Sequence, residues 1–362
     1  MTPPDFTTWL DLEPYTLERE AKATMFTSAM VELTHWHAAR CEHYHRILEL
    51  QGVDTSAIQR LEDVPYIPVR LFKEFDLLSV DRDEVFKTMT SSGTSGQQVS
   101  RIFLDRDTAA MQTRVLSRLM GQLLGKKRLP MLIIDSPGVL KDRQAFSARG
   151  AGILGFSMFG QNVTYALNED MELNLPAITA FLARHPDTPL FIFGFTFMIW
   201  RHFVLPLREQ GIKLPMDTGV LLHGGGWKKL RDEAVNNATF RAALHGCAGI
   251  RRVVDYYGMV EQTGSLFMEC EAGHLHAPVY GDVIVRDPGN FDVAPIGTEG
   301  VIEVLSILPR SYPGHALLTE DVGVLLGEDD CPCGRRGKYF HVLGRLAKAE
   351  TRGCSDTYEV RP

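Results

Sequence analysis

The feature that most narrows the fold is a series of short, strongly apolar runs set between helical stretches. Met131 to Asp135, Leu190 to Phe195, Val220 to Leu222 and Val253 to Tyr256 read as buried strands. Between them, Leu116, Leu119, Met120 and Leu123 recur at helical spacing, and so do Ile178, Phe181 and Leu182. A doubly buried strand followed by a helix is the repeating unit of a mostly parallel α/β sheet. Such sheets bind ligands beyond the carboxyl ends of their strands. Two of the runs lead into Gly-rich or polar loops, His223-Gly224-Gly225-Gly226 and Tyr257-Gly258-Met259.

The flanks follow other patterns. Met30, Leu33, His37, Cys41, Tyr44 and Leu48 recur at three- and four-residue steps, which makes residues 1–84 a mostly helical region. His35, His37, His43 and His45 fall in this region; without a carboxylate or thiolate cluster beside them they read as half-buried helix histidines. Beyond about residue 278, Val283 to Val285 and Val301 to Leu305 read as strands, separated by Asp287-Pro288-Gly289 and Gly297-Thr298-Glu299-Gly300. That is a smaller antiparallel β layer. The expected organisation is one large domain over 1–346. It divides into a helical N-terminal region over 1–84, an α/β region over 85–277 and a β-rich region over 278–346. A tail over 347–362 follows.

A chain of 362 residues buries a core without a disulfide or metal framework. Its 44% hydrophobic and 23% charged residues exclude a disordered chain, a collagen and a coiled coil. The net charge of -7 argues against a broad nucleic-acid footprint. The longest strongly apolar stretch, Leu190 to Trp200, is too short for a membrane span and is interrupted by Gly194 and Thr196. Met1 to Asp11 is acidic and lacks a signal core, so the expected location is the cytoplasm. Four of the six cysteines lie after residue 269, two of them in Cys331-Pro332-Cys333, which does not make a disulfide scaffold.

Thr88 to Gly96 reads TMTSSGTSG. Within it, Thr90, Ser91, Ser92, Gly93, Thr94, Ser95 and Gly96 combine hydroxyl donors with glycines that let backbone N–H groups close around an anion. There is no Gly-Lys-Ser/Thr, so this is not a Walker A loop. Alone, such a stretch reads equally well as a linker. Val85-Phe86 and Ile102-Phe103-Leu104 read as flanking strands and favour a phosphate cradle.

These residues carry a resemblance. The TSSGTSG loop resembles the phosphate loop of the adenylate-forming superfamily of acyl-CoA synthetases and adenylation domains. Gly224-Gly225-Gly226 resembles the loop against adenine, and Tyr257-Gly258-Met259-Val260-Glu261 the Tyr-Gly-x-x-Glu motif. Gly297 to Gly300, Thr319-Glu320-Asp321 and Gly344-Arg345 follow in the family's order, with Glu320 where the family has glycine. Ile67 to Lys73, His223 to Lys229, Ser311 to His315 and Lys348 to Cys354 are similar more closely to the LuxE-type acyl-protein synthetases of bacterial bioluminescence.

The resemblance implies ATP-dependent activation of a carboxylic acid, a fatty acid by family precedent, to an acyl-AMP. Transfer to a cysteine and delivery to an acyl reductase would follow. It implies that Thr90 to Gly96 hold the phosphates, Glu261 holds Mg²⁺, Tyr257 with Gly224, Gly225, Gly226 and Gly258 holds adenine, Asp321 accepts the ribose hydroxyls and Arg345 contacts ribose or phosphate. Tyr256 competes with Tyr257 for the adenine face. Cys354 is the implied acyl carrier; Arg352 and Lys348 favour its thiolate and Asp356 opposes it. The aromatic run Phe191, Phe193, Phe195, Phe197, Met198 and Trp200, with Phe156, Met158 and Phe159, reads as core or as an acyl-facing wall, where His223 and Thr196 would orient the carboxylate.

Cys270, Cys331 and Cys333 with a histidine form a zinc-type donor set; similarity to phenylacetate-CoA ligases favours His276 over His274. The superfamily's C-terminal small domain, which supplies a catalytic lysine, is expected to be absent; either Lys228, Lys229 or Lys348 stands in, with Lys348 placed among the catalytic residues, or adenylation is slow, or a partner completes the site. The alternatives are an acyl-CoA ligase and a noncatalytic nucleotide-binding partner of an acyl reductase.

Overall fold

The computed structural model describes residues 2–91, 99–140, 148–227 and 233–346. The chain forms two compact units, one gathering Met1–Ser91, Gln98–Leu119 and Tyr257–Glu350, the other built mainly of Met120–Tyr256. The loop residues Ser92, Gly93, Thr94, Ser95 and Gly96, the lysines Lys228, Lys229 and Lys348, and Cys354 lie outside the described residues.

The second unit is a parallel sheet in the order Arg252–Tyr257, Gly219–Gly224, Leu190–Phe195, Leu129–Ile134, Gly160–Tyr165. All the strands expected in this unit are present. Helices Leu175–Arg184 and Asn237–Ala248 cover the sheet through Ile178, Phe181, Phe240 and Leu244, all in one core with Leu132, Ile192 and Leu221. Every residue of Leu190–Phe195 is buried, which is why that run carries no polar side chain. The chain turns from this strand directly into a helix at Thr196 and widens to a π-turn over Trp200–Val204. Such insertions concentrate at functional sites.

The main strand path of the first unit is antiparallel, in the order Gly281–Arg286, Glu299–Ser306, Ala316–Glu328, Lys338–Arg345, Leu275–His276, Phe267–Glu269, and the short strand Ile67–Pro68 pairs parallel to Ala316–Glu328. Two short strands before residue 278 thus join the expected β layer. Alternate residues of its strands meet Tyr44, Leu48, Phe72 and Ile102 in one core. The helical N-terminal face is real, with Met30, Leu33, His37, Cys41, Tyr44 and Leu48 all buried. It is carried by two helices, Arg19–Arg40 and Glu42–Gln51, because Cys41 adopts an extended backbone, φ -113° and ψ 103°. The second of them stops at Gly52, whose φ of 64° suits glycine.

The strand before the Ser/Gly-rich loop is Lys87–Thr90 rather than Val85-Phe86, and it pairs with Arg101–Leu104. Phe86 is exposed, so apolarity marked the wrong pair. Among the N-terminal histidines, His37 is fully buried, bonded to Ser79 at 2.7 Å and to the Pro309 carbonyl at 3.1 Å, whereas His43 and His45 face solvent.

Candidate functional site

In the first unit the Lys87–Thr90 hairpin ends at Ser91. Its N–H donates to the Ser100 carbonyl at 3.1 Å, and its hydroxyl accepts from the Ser100 N–H at 2.9 Å. These two bonds close the base of the Ser/Gly-rich loop. Thr90 pairs with Arg101 just inside this neck.

Antiparallel pairing places Asp321 directly opposite Arg345. Arg345 Nε donates to Asp321 Oδ1 at 3.1 Å, and the Tyr257 hydroxyl donates to Oδ2 at 2.7 Å. The Asp321 backbone N–H donates to Thr319 Oγ1 at 3.1 Å, and the Thr319 hydroxyl donates to the Ile302 carbonyl at 2.7 Å. The carboxylate is therefore held on both oxygens and at its main chain. Burial raises the Tyr257 phenol well above its ordinary value, with the Asp321 charge adding to the effect, so it remains a proton donor. The Tyr257 ring lies 6.1 Å from Phe267 and 6.2 Å from Phe340.

Glu261 lies in a short 3₁₀ turn, Val260–Gln262, and is buried. Burial pushes its carboxyl up from the ordinary range, with the Ser100 hydroxyl and the charges of Lys73 and Arg345 opposing. Neighbouring groups fix this turn. The Tyr312 hydroxyl donates to the Glu261 carbonyl at 2.9 Å, and Gln262 Nε2 donates to the carbonyls of Gly314 at 2.8 Å and Val304 at 3.0 Å. Gln262 is a positioning residue that motif reading missed; its place next to Glu261 is the signal that was available.

In the second unit His223 stands near the carboxyl end of Gly219–Gly224. Its Nδ1 lies 2.9 Å from Thr196 Oγ1 and 3.6 Å from Asp255. The Thr196 hydroxyl is also 3.1 Å from the Gly224 carbonyl. When that carbonyl takes the Thr196 proton, His223 Nδ1 donates to Thr196 and Nε2 keeps its lone pair. Burial drives the His223 pKa down to about 3, so the ring is neutral at physiological pH.

A Cβ on Gly224 would come within 2.8 Å of the Tyr256 ring and of its carbonyl, which explains glycine at the start of the triple-glycine loop. Gly225 and Gly226 adopt φ of 82° and 61°. Gly258 follows the Arg252–Tyr257 strand. Tyr256 meets Phe156 at 5.3 Å, and Phe156 meets Phe193 at 4.7 Å. Motif reading had not singled out Asp255 or the buried ion pair Asp135–Arg149 at 3.0 Å. Asp135 could have been found as the lone carboxylate ending an apolar strand.

Cys270, His276, Cys331 and Cys333 converge in the first unit, and their donor atoms all lie within 4.8 Å of one another. Cys270 Sγ and Cys331 Sγ are 3.8 Å apart. That is nearly twice a disulfide bond and matches the roughly 3.8 Å edge of a tetrahedron built on zinc–sulfur distances of about 2.3 Å. Cys333 Sγ lies 3.3 Å from His276 Nε2, and the Arg335 N–H donates to Cys333 Sγ at 3.4 Å. His274 Nδ1 is 3.3 Å from Cys331 Sγ but stands outside the converging set. Three soft sulfurs and one imidazole nitrogen at these spacings fit zinc.

The fold is the one that adenylate-forming ligases have. A solved 2-hydroxyisobutyryl-CoA ligase in complex with 2-HIB-AMP superposes with a TM-score of 0.72 and 16% identity, over 96% of this chain and 72% of that one. The sequence matches the family described as acyl-protein synthetase, LuxE, over residues 6–360, and the chain belongs to that family. It is similar to the long-chain-fatty-acid–luciferin-component ligase of Vibrio harveyi, 24% identical over 88% of this chain and 83% of the relative. The Aliivibrio fischeri protein of the same description is 21% identical over 90% of this chain and 85% of its own length. Among the described residues no helix is long and apolar enough to cross a membrane.

Proposed function

We propose that this chain uses ATP and Mg²⁺ to activate a fatty acid and then carries the acyl group on Cys354 for a partner acyl reductase in the cytoplasm. The substrate carboxylate attacks the α-phosphorus, the bond to pyrophosphate breaks, and acyl-AMP forms. The Cys354 thiolate then attacks the acyl carbonyl, AMP leaves, and a thioester remains; the thiol proton goes to solvent.

The observation that carries this reading is the Asp321 carboxylate, supported on both oxygens by Arg345 and Tyr257, in a chain that matches acyl-protein synthetases over nearly its whole length. Asp321 would take the ribose hydroxyls, and Glu261 a Mg²⁺ that neutralises developing phosphate charge. Thr90 to Gly96 would cradle the phosphates. Gly224 to Gly226, Gly258 and one of Tyr256 and Tyr257 would enclose the adenine. His223 and Lys348 would serve the substrate carboxylate. Phe156 and Phe193 would face the acyl chain, each methylene buried there contributing about 0.8 kcal/mol. Zinc held by Cys270, His276, Cys331 and Cys333 would be structural, since four protein ligands leave no open position.

The test is acid-dependent pyrophosphate release from ATP across a series of carboxylic acids, followed by intact mass of the protein with and without CoA. An acyl adduct that hydroxylamine removes is expected on the wild type and absent from Cys354→Ser, which keeps pyrophosphate release. An adduct of equal yield on Cys354→Ser would overturn the carrier role. Acyl-CoA as the main product would favour the CoA ligase.

A further inference from the structure

We propose that Tyr257 acts through its hydroxyl as a positioning residue for Asp321, so that the Tyr257–Asp321–Arg345 group sets which sugar the nucleotide site accepts. This deepens the ATP reading above and rests on it.

A single carboxylate has a limited acceptor capacity: each ionised oxygen offers two lone-pair positions. Arg345 occupies one on Oδ1 and Tyr257 one on Oδ2. One position is left on each oxygen, and the Asp321 side chain is 16% exposed. Two acceptor positions side by side on a fixed, planar group match two adjacent hydroxyls of a vicinal diol. A ribose presents that pair; a 2′- or 3′-deoxyribose presents half of it.

The two existing bonds also fix the plane. A carboxylate held by Arg345 alone turns about its Cβ–Cγ bond, and the remaining lone pairs turn with it. The Tyr257 bond stops that rotation. Tyr257 itself cannot follow a moving carboxylate, because its ring is set between Phe267 and Phe340. The Thr319 bond to the Asp321 N–H, anchored on Ile302, fixes the same residue from the backbone. This support is larger than a surface turn-former needs.

The experiment compares ATP, 2′-deoxy-ATP and 3′-deoxy-ATP in acid-dependent pyrophosphate release by the full chain, as wild type, Tyr257→Phe, Asp321→Asn and the double variant. Phenylalanine keeps the ring packing and removes only the hydroxyl. Wild type is expected to prefer ATP over each deoxy analogue by about tenfold or more in kcat/KM, the size expected for a lost bond to a charged acceptor. Tyr257→Phe is expected to raise the KM for ATP about tenfold with kcat within about twofold, because the bond is made in the ground state. Its preference for ATP falls to about threefold or less. In the Asp321→Asn background, Tyr257→Phe is expected to change the preference no further.

Each variant is assayed well below its own melting point, with the far-ultraviolet circular dichroism spectrum and a cooperative melting curve certifying the fold. A Tyr257→Phe enzyme that keeps the wild-type preference overturns the proposal while leaving the ATP reading intact. A wild type that releases no pyrophosphate, or shows no preference among the three sugars, overturns the ATP or ribose reading instead, and the proposal with it.

Discussion

Acidification should loosen the segment that holds Glu261, and His315 is the reason. His315 is 1% exposed. Its Nε2 lies 3.0 Å from Thr34 Oγ1, whose proton goes to the Met30 carbonyl, so Nε2–H is the donor. Nδ1 is then the unprotonated nitrogen, buried with no hydrogen-bond partner among the described residues. His37 stacks on the same ring at 4.9 Å, and the Tyr44 hydroxyl is 3.4 Å away. A second proton on His315 would have no acceptor, and burial drives the pKa down from 6.5 to about 3.

The unfolded chain therefore binds a proton that the folded chain refuses. Stability is full above about 6.5 and is lost as pH falls toward about 3. At about pH 5 the cost is about 1.5 units at 1.36 kcal/mol each, or roughly 2 kcal/mol. Glu303 works the other way. Burial pushes its carboxyl up to about 7, against Arg286, so the folded state gains stability as pH falls from about 7 toward 4.5. The wild-type curve sums such contributions, and that of His315 is read as a difference. Urea unfolding of wild type and His315→Gln at about pH 7.5 and about pH 5, followed by far-ultraviolet circular dichroism, gives that difference. The variant should lose roughly 2 kcal/mol less between the two pH values. Parallel losses in the two proteins would refute the reasoning.

Other outcomes follow from the two units separately. Purified protein should contain one zinc per chain, and Cys331→Ser should lose it and melt at least about 6 °C lower, the shift for roughly 3 kcal/mol in a domain of moderate size; metal analysis beside calorimetry decides this, and a metal-free wild type of equal stability would end it. Gly224→Ala should cost about 1–3 kcal/mol in thermal unfolding and weaken ATP binding, since the new methyl meets both the ring and the carbonyl of Tyr256. Thr196→Val removes the partner that orients His223; kcat should fall about tenfold with the KM for ATP unchanged, and an unchanged kcat would exclude an orienting role.

Sequence reading recovered the parallel sheet because a strand buried on both faces must be continuously apolar, and Leu190–Phe195 is that case. It misplaced the strand before the Ser/Gly-rich loop. Lys87–Thr90 is a half-exposed hairpin strand, held by its ladder and not by side-chain burial. The break at Cys41 was invisible because the residues on both sides keep the same apolar spacing. At the site, motif order was enough to single out Asp321, Arg345, Tyr257 and Glu261. The bonds that join Asp321, Arg345 and Tyr257 depend on a strand register, Asp321 opposite Arg345, that local sequence does not encode. The buried pairing of His37 with His315 likewise joins residues far apart in the chain, which no spacing rule relates. The three thiol donors were readable from residue type, whereas the choice of His276 over His274 came from the resemblance; the short strand Leu275–His276 is what carries His276 to them.

The last bond of the described ladder runs from the Leu346 N–H to the Glu320 carbonyl at 3.0 Å, one residue from Asp321. The chain that carries Cys354 is thus moored beside the carboxylate proposed to hold the ribose. Fully drawn out, the stretch from Leu346 to Cys354 reaches roughly 28 Å and no farther. A thiol on so short a tether experiences an effective concentration in the millimolar range. If Cys354 is the acyl carrier proposed above, its loading should be first order in protein, insensitive to dilution, and weakly competed by free thiols well below that concentration.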